Sequence, residues 1–128
     1  NARIFGPGLA PVETAMASKR VILSTEEIID SEEIRKHPGA TTLPYYLVDA
    51  VVHAPFGCYP GTVPGLYRAD LQHLMEFGVA QVQGKMDEYL EKWVFSVASH
   101  TEMLEKRVGL EKLNVLRAEE THTEGYYT

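Results

Sequence analysis

The chain has 128 residues, 45% of them hydrophobic and 23% charged, with a formal net charge of −6. That length allows one domain with a real core, and the mildly acidic balance argues against nucleic acid or an anionic membrane as partner, since both select clustered Lys and Arg. The single cysteine, Cys58, excludes an internal disulfide and fits a reducing cytoplasm, and no apolar run approaches the ~20 residues of a membrane-spanning helix.

The sequence opens at Asn1 without a methionine, and Asn1 to Phe5 reads as the tail of something already under way: a fragment, a processed chain or a split subunit. Ala2, Ile4 and Phe5 suit a short strand, which Gly6-Pro7-Gly8 breaks. That turn lacks the spacing and the Lys-Ser/Thr of a phosphate loop, so it reads as a plain turn. A short helix is expected from Pro11 to Ser18, with Pro11 in its first turn and Val12, Ala15 and Met16 on its apolar face. Arg20 to Ser24 reads as a buried strand, because Val21, Ile22 and Leu23 form a continuous apolar run. Ser24 then suits the cap of a helix, with Glu27 completing a capping box. A second short turn runs from Ser31 to Lys36, ahead of Pro38-Gly39. Helix-end electrostatics and a solvated face account for most of the carboxylates between Glu26 and Glu33. Glu26 and Glu27 are the better candidates for chemistry, being at the carboxyl end of a strand.

Thr41 to Leu43 is expected to be briefly extended, and Pro44 ends it. Tyr46 to Val52 reads as a second buried, parallel strand. Asp49 inside it needs a polar edge or a basic partner, Arg20 or Lys19. The stretch after this strand cannot continue it, because Pro55, Pro60 and Pro64 lack a backbone donor and restrict their predecessors. It is an ordered loop at a strand's carboxyl end, where open α/β sheets place ligands, and it carries Phe56, Tyr59 and Tyr67.

From Asp70 the pattern turns helical. Asp70 suits an N-cap for a helix bearing Leu71, Leu74, Met75 and Phe77, with a break bracketed by Gly78 and Gly84. Met86, Tyr89, Leu90, Trp93 and Val94 then recur at helical spacing. Ser99 opens a further helix with Glu102 in capping-box position, and Leu110, Leu113, Val115 and Leu116 close the helical part. The tail after Ala118 is polar and is expected to be mobile or draped on a partner. The division expected is therefore residues 1–69 with strands, helices and the Pro/Gly loop, residues 70–118 helical, and a tail over residues 119–128.

Single residues carry little chemistry by themselves. Cys58 lies in the Pro/Gly loop, but no Lys, Arg or helix N-terminus adjoins it to favour the thiolate, so it reads as filling a small-residue position. His37, His53, His73, His100 and His122 show no metal-ligand spacing, and only His53 lies at a strand end. The methionines Met16, Met75, Met86 and Met103 read as core filler. Trp93 and Phe95 are expected to pack the C-terminal helix against the sheet.

Three blocks in order give the chain a resemblance. Ala17-Ser18-Lys19-Arg20-Val21-Ile22 running to Glu26-Glu27-Ile28 is the first, and Val48-Asp49-Ala50-Val51-Val52 with Ala54-Pro55-Phe56-Gly57-Cys58-Tyr59-Pro60, Gly65-Leu66-Tyr67 and Asp70 is the second. Glu91-Lys92-Trp93-Val94-Phe95 is the third. Together they resemble the C-terminal portion of the A (alpha) subunit of family I CoA-transferases, most like the glutaconate type. The resemblance implies an α/β fold: part of an open, mainly parallel, Rossmann-like sheet with flanking helices, followed by an all-helical segment. A few strands cannot cover both faces of such a sheet, so the rest is expected from missing A-subunit sequence or another chain.

The family moves CoA between carboxylic acids through a glutamate that attacks the acyl-CoA thioester. In the glutaconate type that glutamate belongs to the B (beta) subunit, so the resemblance implies no catalytic nucleophile in this chain. It implies a cytoplasmic hetero-oligomer with the B subunit, acyl-CoA and carboxylate as substrates, no resident cofactor and no metal. Phe56, Gly57, Cys58, Tyr59 and Pro60, with Glu26 and Glu27, are the expected pocket residues. Rival readings are a CoA-thioester hydrolase or decarboxylase on the same fold, and a non-catalytic assembly module.

Overall fold

The computed structural model describes residues 1–4 and 10–120. The opening strand at Phe5, the Gly6-Pro7-Gly8 turn and the tail from Thr121 onward lie outside the described residues. The chain forms two compact units, one ending at Gly57 and the other starting at Cys58.

In the first unit, α1 (Pro11–Ala17) begins with Pro11, whose missing N–H is harmless in a first turn. Its Ala15 is buried. Two strands pair in parallel, β1 (Ile22–Thr25) and β2 (Ala50–His53), with Ile22 opposite Ala50 and Thr25 opposite His53. Both are shorter than or displaced from expectation. β1 starts past Arg20 and continues through Thr25, while Tyr45–Leu47 forms a tight helical turn after Pro44 and leaves only the end of the apolar run as strand. Ser24 therefore does not cap a helix. It is paired with Val52 in the ladder, and ladder bonds displace the local cap that a serine side chain offers. No helix forms between Ser24 and Asp30, while the short turn expected from Ser31 to Lys36 is α2 (Ser31–Lys36), preceded by Asp30.

Asp49 has the basic partner its position demands. Its Oδ1 accepts from the Arg20 guanidinium at 2.8 Å and its Oδ2 from the Val21 backbone N–H at 2.8 Å. The backbone bond first, then the arginine, hold this exposed carboxyl below the usual carboxylate range. Arg3 donates to the carbonyls of Glu33 at 2.8 Å and Ile34 at 3.3 Å, satisfying acceptors that the last turn of α2 leaves unpaired. Ala2 bridges Leu43 in antiparallel sense, and Leu43 is buried. The strands themselves are not buried: Ile22 is 72% exposed and Val51 57%. A pair of parallel strands has too few neighbours to cover its own apolar side chains.

The second unit is helical. Asp70 precedes α3 (Leu71–Val82), and its Oδ1 accepts from the His73 backbone N–H at 3.1 Å. Gly78 does not break α3, which runs straight through it; the helix ends before Gly84, whose φ of 67° is the left-handed geometry of a helix stop. α4 (Met86–Leu90) runs on into a wider helical turn over Glu91–Phe95. α5 (His100–Met103) likewise continues over Leu104–Val108, and α6 (Leu110–Glu120) follows Gly109. At the head of α5, Ser99 Oγ accepts from the Glu102 N–H at 3.1 Å, while the Glu102 carboxylate accepts from the Ala98 N–H at 2.6 Å. This is a capping box with its return bond moved back by one residue. The core of this unit holds Tyr59, Tyr67, Ala80, Leu104, Leu113 and Leu116. Met16 in the first unit and Met75 in the second are largely exposed, against the expectation of core filler, and so are Leu110 and Val115. No helix among the described residues is long and apolar enough to cross a membrane.

Candidate functional site

The residues expected at a pocket fall into both units. Glu26, half-buried, and Glu27, exposed, leave the carboxyl end of β1. Phe56 and Gly57 follow the carboxyl end of β2, where the Ala54 N–H donates to the Thr25 carbonyl at 2.8 Å. The two loops thus depart from adjacent points on the same end of the parallel pair. Phe56 is 6% exposed and holds a φ of 56°, a region that L side chains seldom occupy. Gly57 is tightly placed: a Cβ there would stand 2.7 Å from the Ala54 carbonyl oxygen.

Cys58, Tyr59 and Pro60 open the second unit. The Cys58 N–H donates to the Tyr67 hydroxyl at 3.2 Å, and its exposed thiol lies 3.7 Å from the Thr62 carbonyl. The peptide between Tyr59 and Pro60 is cis, and the Pro60 carbonyl accepts from the Asp70 N–H at 3.0 Å. Tyr59 is buried rather than presented to solvent, and its hydroxyl donates to Asp70 Oδ2 at 2.6 Å.

That bond belongs to a larger polar cluster that centres on His73, a residue without any special mark in the sequence. Asp70 and His73 are 3% and 5% exposed. Lys112, from α6, places its ammonium 2.6 Å from Asp70 Oδ2. The His73 imidazole stands between two phenols, with Nδ1 3.0 Å from the Tyr59 hydroxyl and Nε2 2.6 Å from the Tyr89 hydroxyl on α4. Trp93 stacks on its face, with ring centroids 3.9 Å apart and planes 25° from parallel. One turn further along α3, Glu76 accepts from Lys92 at 2.6 Å and from the Trp93 indole N–H at 3.1 Å. Trp93 thus joins the packing of the helices to one another through His73, while Phe95 is exposed.

The electrostatics follow from burial and partners. Burial alone would raise the Asp70 carboxyl, but hydrogen bonds from Lys112, Tyr59 and the His73 N–H outweigh it and hold the group below its ordinary value. Burial pushes His73 down, against the opposing pull of Asp70 and Glu76, so the ring is neutral at pH 7. Burial and then the Asp70 carboxylate push the Tyr59 phenol far up, and burial raises Tyr89. Asp70 and His73, three apart at a helix start, and Tyr89 and Trp93, four apart on one helical face, are local neighbours, but neither spacing marks His73 as the centre of a cluster. Lys112 is local to neither pair. Among the described residues no three His, Cys, Asp or Glu side chains gather as a metal set does.

No family model matches the chain. Sequence and fold together nevertheless show it to be a relative of the A subunits of CoA-transferases. In particular, it is 40% identical over 105 residues, 81% of the chain, to the A subunit of glutaconate CoA-transferase from Acidaminococcus fermentans. The crystal structure of glutaconate coenzyme A-transferase from that organism superposes with a TM-score of 0.79 at 38% identity, over 91% of this chain. An uncharacterized protein of Archaeoglobus fulgidus is 41% identical over 118 residues. The A subunit of 3-oxoadipate CoA-transferase from Pseudomonas knackmussii is 36% identical over 58 residues, 45% of the chain. The chain spans only part of each relative: 33% of the glutaconate enzyme's polypeptide, 26% of the archaeal protein, 20% of the 3-oxoadipate enzyme's polypeptide and 37% of the crystallised chain.

Proposed function

We propose that the chain works as part of a CoA-transferase A subunit, in an enzyme that moves CoA between an acyl-CoA and a carboxylic acid. The observation that carries this reading is the joint likeness in fold and sequence, a TM-score of 0.79 with 38% identity across 91% of the chain. A fold alone says little of activity, but sequence identity at that level over the same residues argues for shared chemistry as well. The glutaconate relative favours a dicarboxylic acid as the acid partner. In this reading coenzyme A is a substrate, and no resident cofactor takes part. The remainder of an A subunit and a B subunit are the proposed partners in a cytoplasmic hetero-oligomer.

The glutamate that attacks the thioester comes from the B subunit, so the reaction passes through an anhydride and then a glutamyl-CoA thioester on that partner. This chain contributes a wall. Phe56 and Tyr59 are buried, so they hold the segment in shape, and the exposed Gly57 and Cys58 are left to face substrate, while Glu26 and Glu27 leave the same end of the parallel strand pair as Phe56 and Gly57. A stiff wall keeps reactants in line and excludes water that would hydrolyse the activated acyl group. The test is a transfer assay on the chain purified with whatever assembles with it, offering glutaryl-CoA or glutaconyl-CoA and acetate. Appearance of acetyl-CoA in step with loss of the donor supports the reading. Free CoA without acetyl-CoA overturns it in favour of hydrolysis, carbon dioxide with an acyl-CoA one carbon shorter overturns it in favour of decarboxylation, and no turnover at all favours an assembly module.

A further inference from the structure

The distances around His73 fix where its protons are. An ionised carboxylate only accepts hydrogen bonds, so the single hydroxyl proton of Tyr59 is committed to Asp70 Oδ2 at 2.6 Å. The Tyr59 oxygen must then accept from His73, which puts the imidazole proton on Nδ1, 3.0 Å away. Nε2 is left as the acceptor, so Tyr89 donates to it at 2.6 Å. The chain of bonds runs one way, from Tyr89 through His73 and Tyr59 to Asp70, where Lys112 balances the charge. A second proton on the ring lands on Nε2, and the Tyr89 hydroxyl must then turn from donor to acceptor, which reverses this link of the chain.

We propose that neutral His73 is a positioning residue: held between Tyr89 on α4 and Tyr59 in the turn before Pro60, it sets that turn, and its protonation, which reverses the bond to Tyr89 and puts a charge in this buried place, weakens that hold. The effect on catalysis rests on the function proposed above, in which the turn walls the site. The groups that face the ring are Tyr59 and Asp70 from the loop, Glu76 on α3, Tyr89 on α4, Lys92 on the following turn and Lys112 on α6. Asp70 and Glu76 favour a charged ring; Lys112, Lys92 and burial oppose it.

Trp93 is the chain's one tryptophan, and a charged imidazolium stacked on indole quenches its emission. Titrating Trp93 fluorescence in the full chain from neutral to acid pH should give a quenching step with its midpoint below the ordinary histidine value of about 6.5. Tyr89→Phe, which removes the donor to Nε2, should move that midpoint upward by about half a pH unit, and His73→Gln should abolish the step. Nitrogen NMR of His73 at neutral pH should report the Nδ1-protonated tautomer. A midpoint at or above the ordinary value, a Tyr89→Phe midpoint that does not move, or an Nε2-protonated ring overturns the proposal. In the assembled enzyme, the acid limb of kcat/KM should share the fluorescence midpoint and shift with it in Tyr89→Phe. Transfer that persists through the quenching step overturns the positioning role alone. Absence of transfer at every pH overturns the functional reading instead, and the fluorescence and tautomer arms still decide the hydrogen-bond chain.

Discussion

Gly57 shows how a single residue constrains the segment after β2. The missing side chain is required by a neighbouring carbonyl and not by a special φ: a methyl group at Gly57 would lie 2.7 Å from the Ala54 oxygen, whereas one at Gly78 would meet nothing within 4 Å. The two positions should therefore respond with opposite signs. Gly57→Ala is expected to destabilise by about 1–3 kcal/mol through forced backbone movement, and Gly78→Ala to stabilise by about 1 kcal/mol through the better helix propensity of alanine. Denaturant titration of both variants checks the pair, and a stable Gly57→Ala would mean that the turn is looser than its contact with Ala54 requires. Some of this scale was legible beforehand. Asp49 required a polar edge or a basic partner, and Arg20 supplies one. His73 was not legible, because its meaning depends on Tyr59, Tyr89 and Lys112, which only folding brings to it. Gly/Pro density drew attention to Phe56, Gly57, Cys58, Tyr59 and Pro60, but no pattern in the sequence told that Phe56 and Tyr59 point into cores.

Among the elements, the helices with a cap were the most readable. Asp70 before α3 and Ser99 before α5 both accept the backbone bond that their residue type and position foretell. Their energetic roles differ. Ser99 is exposed and serves only its cap, so Ser99→Ala should cost about 1 kcal/mol. Asp70 is buried and joins the loop, α3 and α6, so Asp70→Ala should cost about 3 kcal/mol or more, since Lys112 and Tyr59 lose their acceptor. Equal losses in the two variants, measured by denaturant titration, would contradict the role given to the cluster. Ser24 failed as a cap for the same reason that Ser99 succeeded: a serine hydroxyl competes with whatever else the backbone can bond, and at Ser24 the strand ladder is there.

Acid sensitivity belongs to this scale too. The folded-state pKa of His73 lies below its unfolded value, so its contribution to stability is complete above about pH 6.5 and declines as the pH falls through that value toward the folded one. Asp70, also depressed, contributes fully above about pH 3.9 and is lost on further acidification. Both slopes have the same sign, so stability should fall in two stages on the acid side, and His73→Gln should remove the first stage. A stability that rises between neutral pH and pH 5 would contradict the His73 assignment, and one that holds steady or rises below about pH 3.9 would contradict that of Asp70.

For the whole molecule, the α/β character and the order of strands before helices were legible from apolar runs and from the change to helical spacing at Asp70. The extent of the sheet was not. Continuous apolar runs promised buried strands, yet Ile22, Val51 and Val52 are at least half exposed, because burial depends on layers that a pair of strands cannot supply. The likeness to the A subunits of CoA-transferases was carried by the order of three short blocks and is matched by fold as well as sequence. At this scale the proposed function makes one central claim, that this polypeptide helps to shape a transferase site whose reacting glutamate belongs to a partner. The decisive measurement is borohydride or hydroxylamine trapping of the assembled enzyme with acyl-CoA, followed by peptide mass spectrometry. A modified glutamate on the partner chain and none on this one is the expected result; modification of Glu26, Glu27 or Cys58 would contradict it.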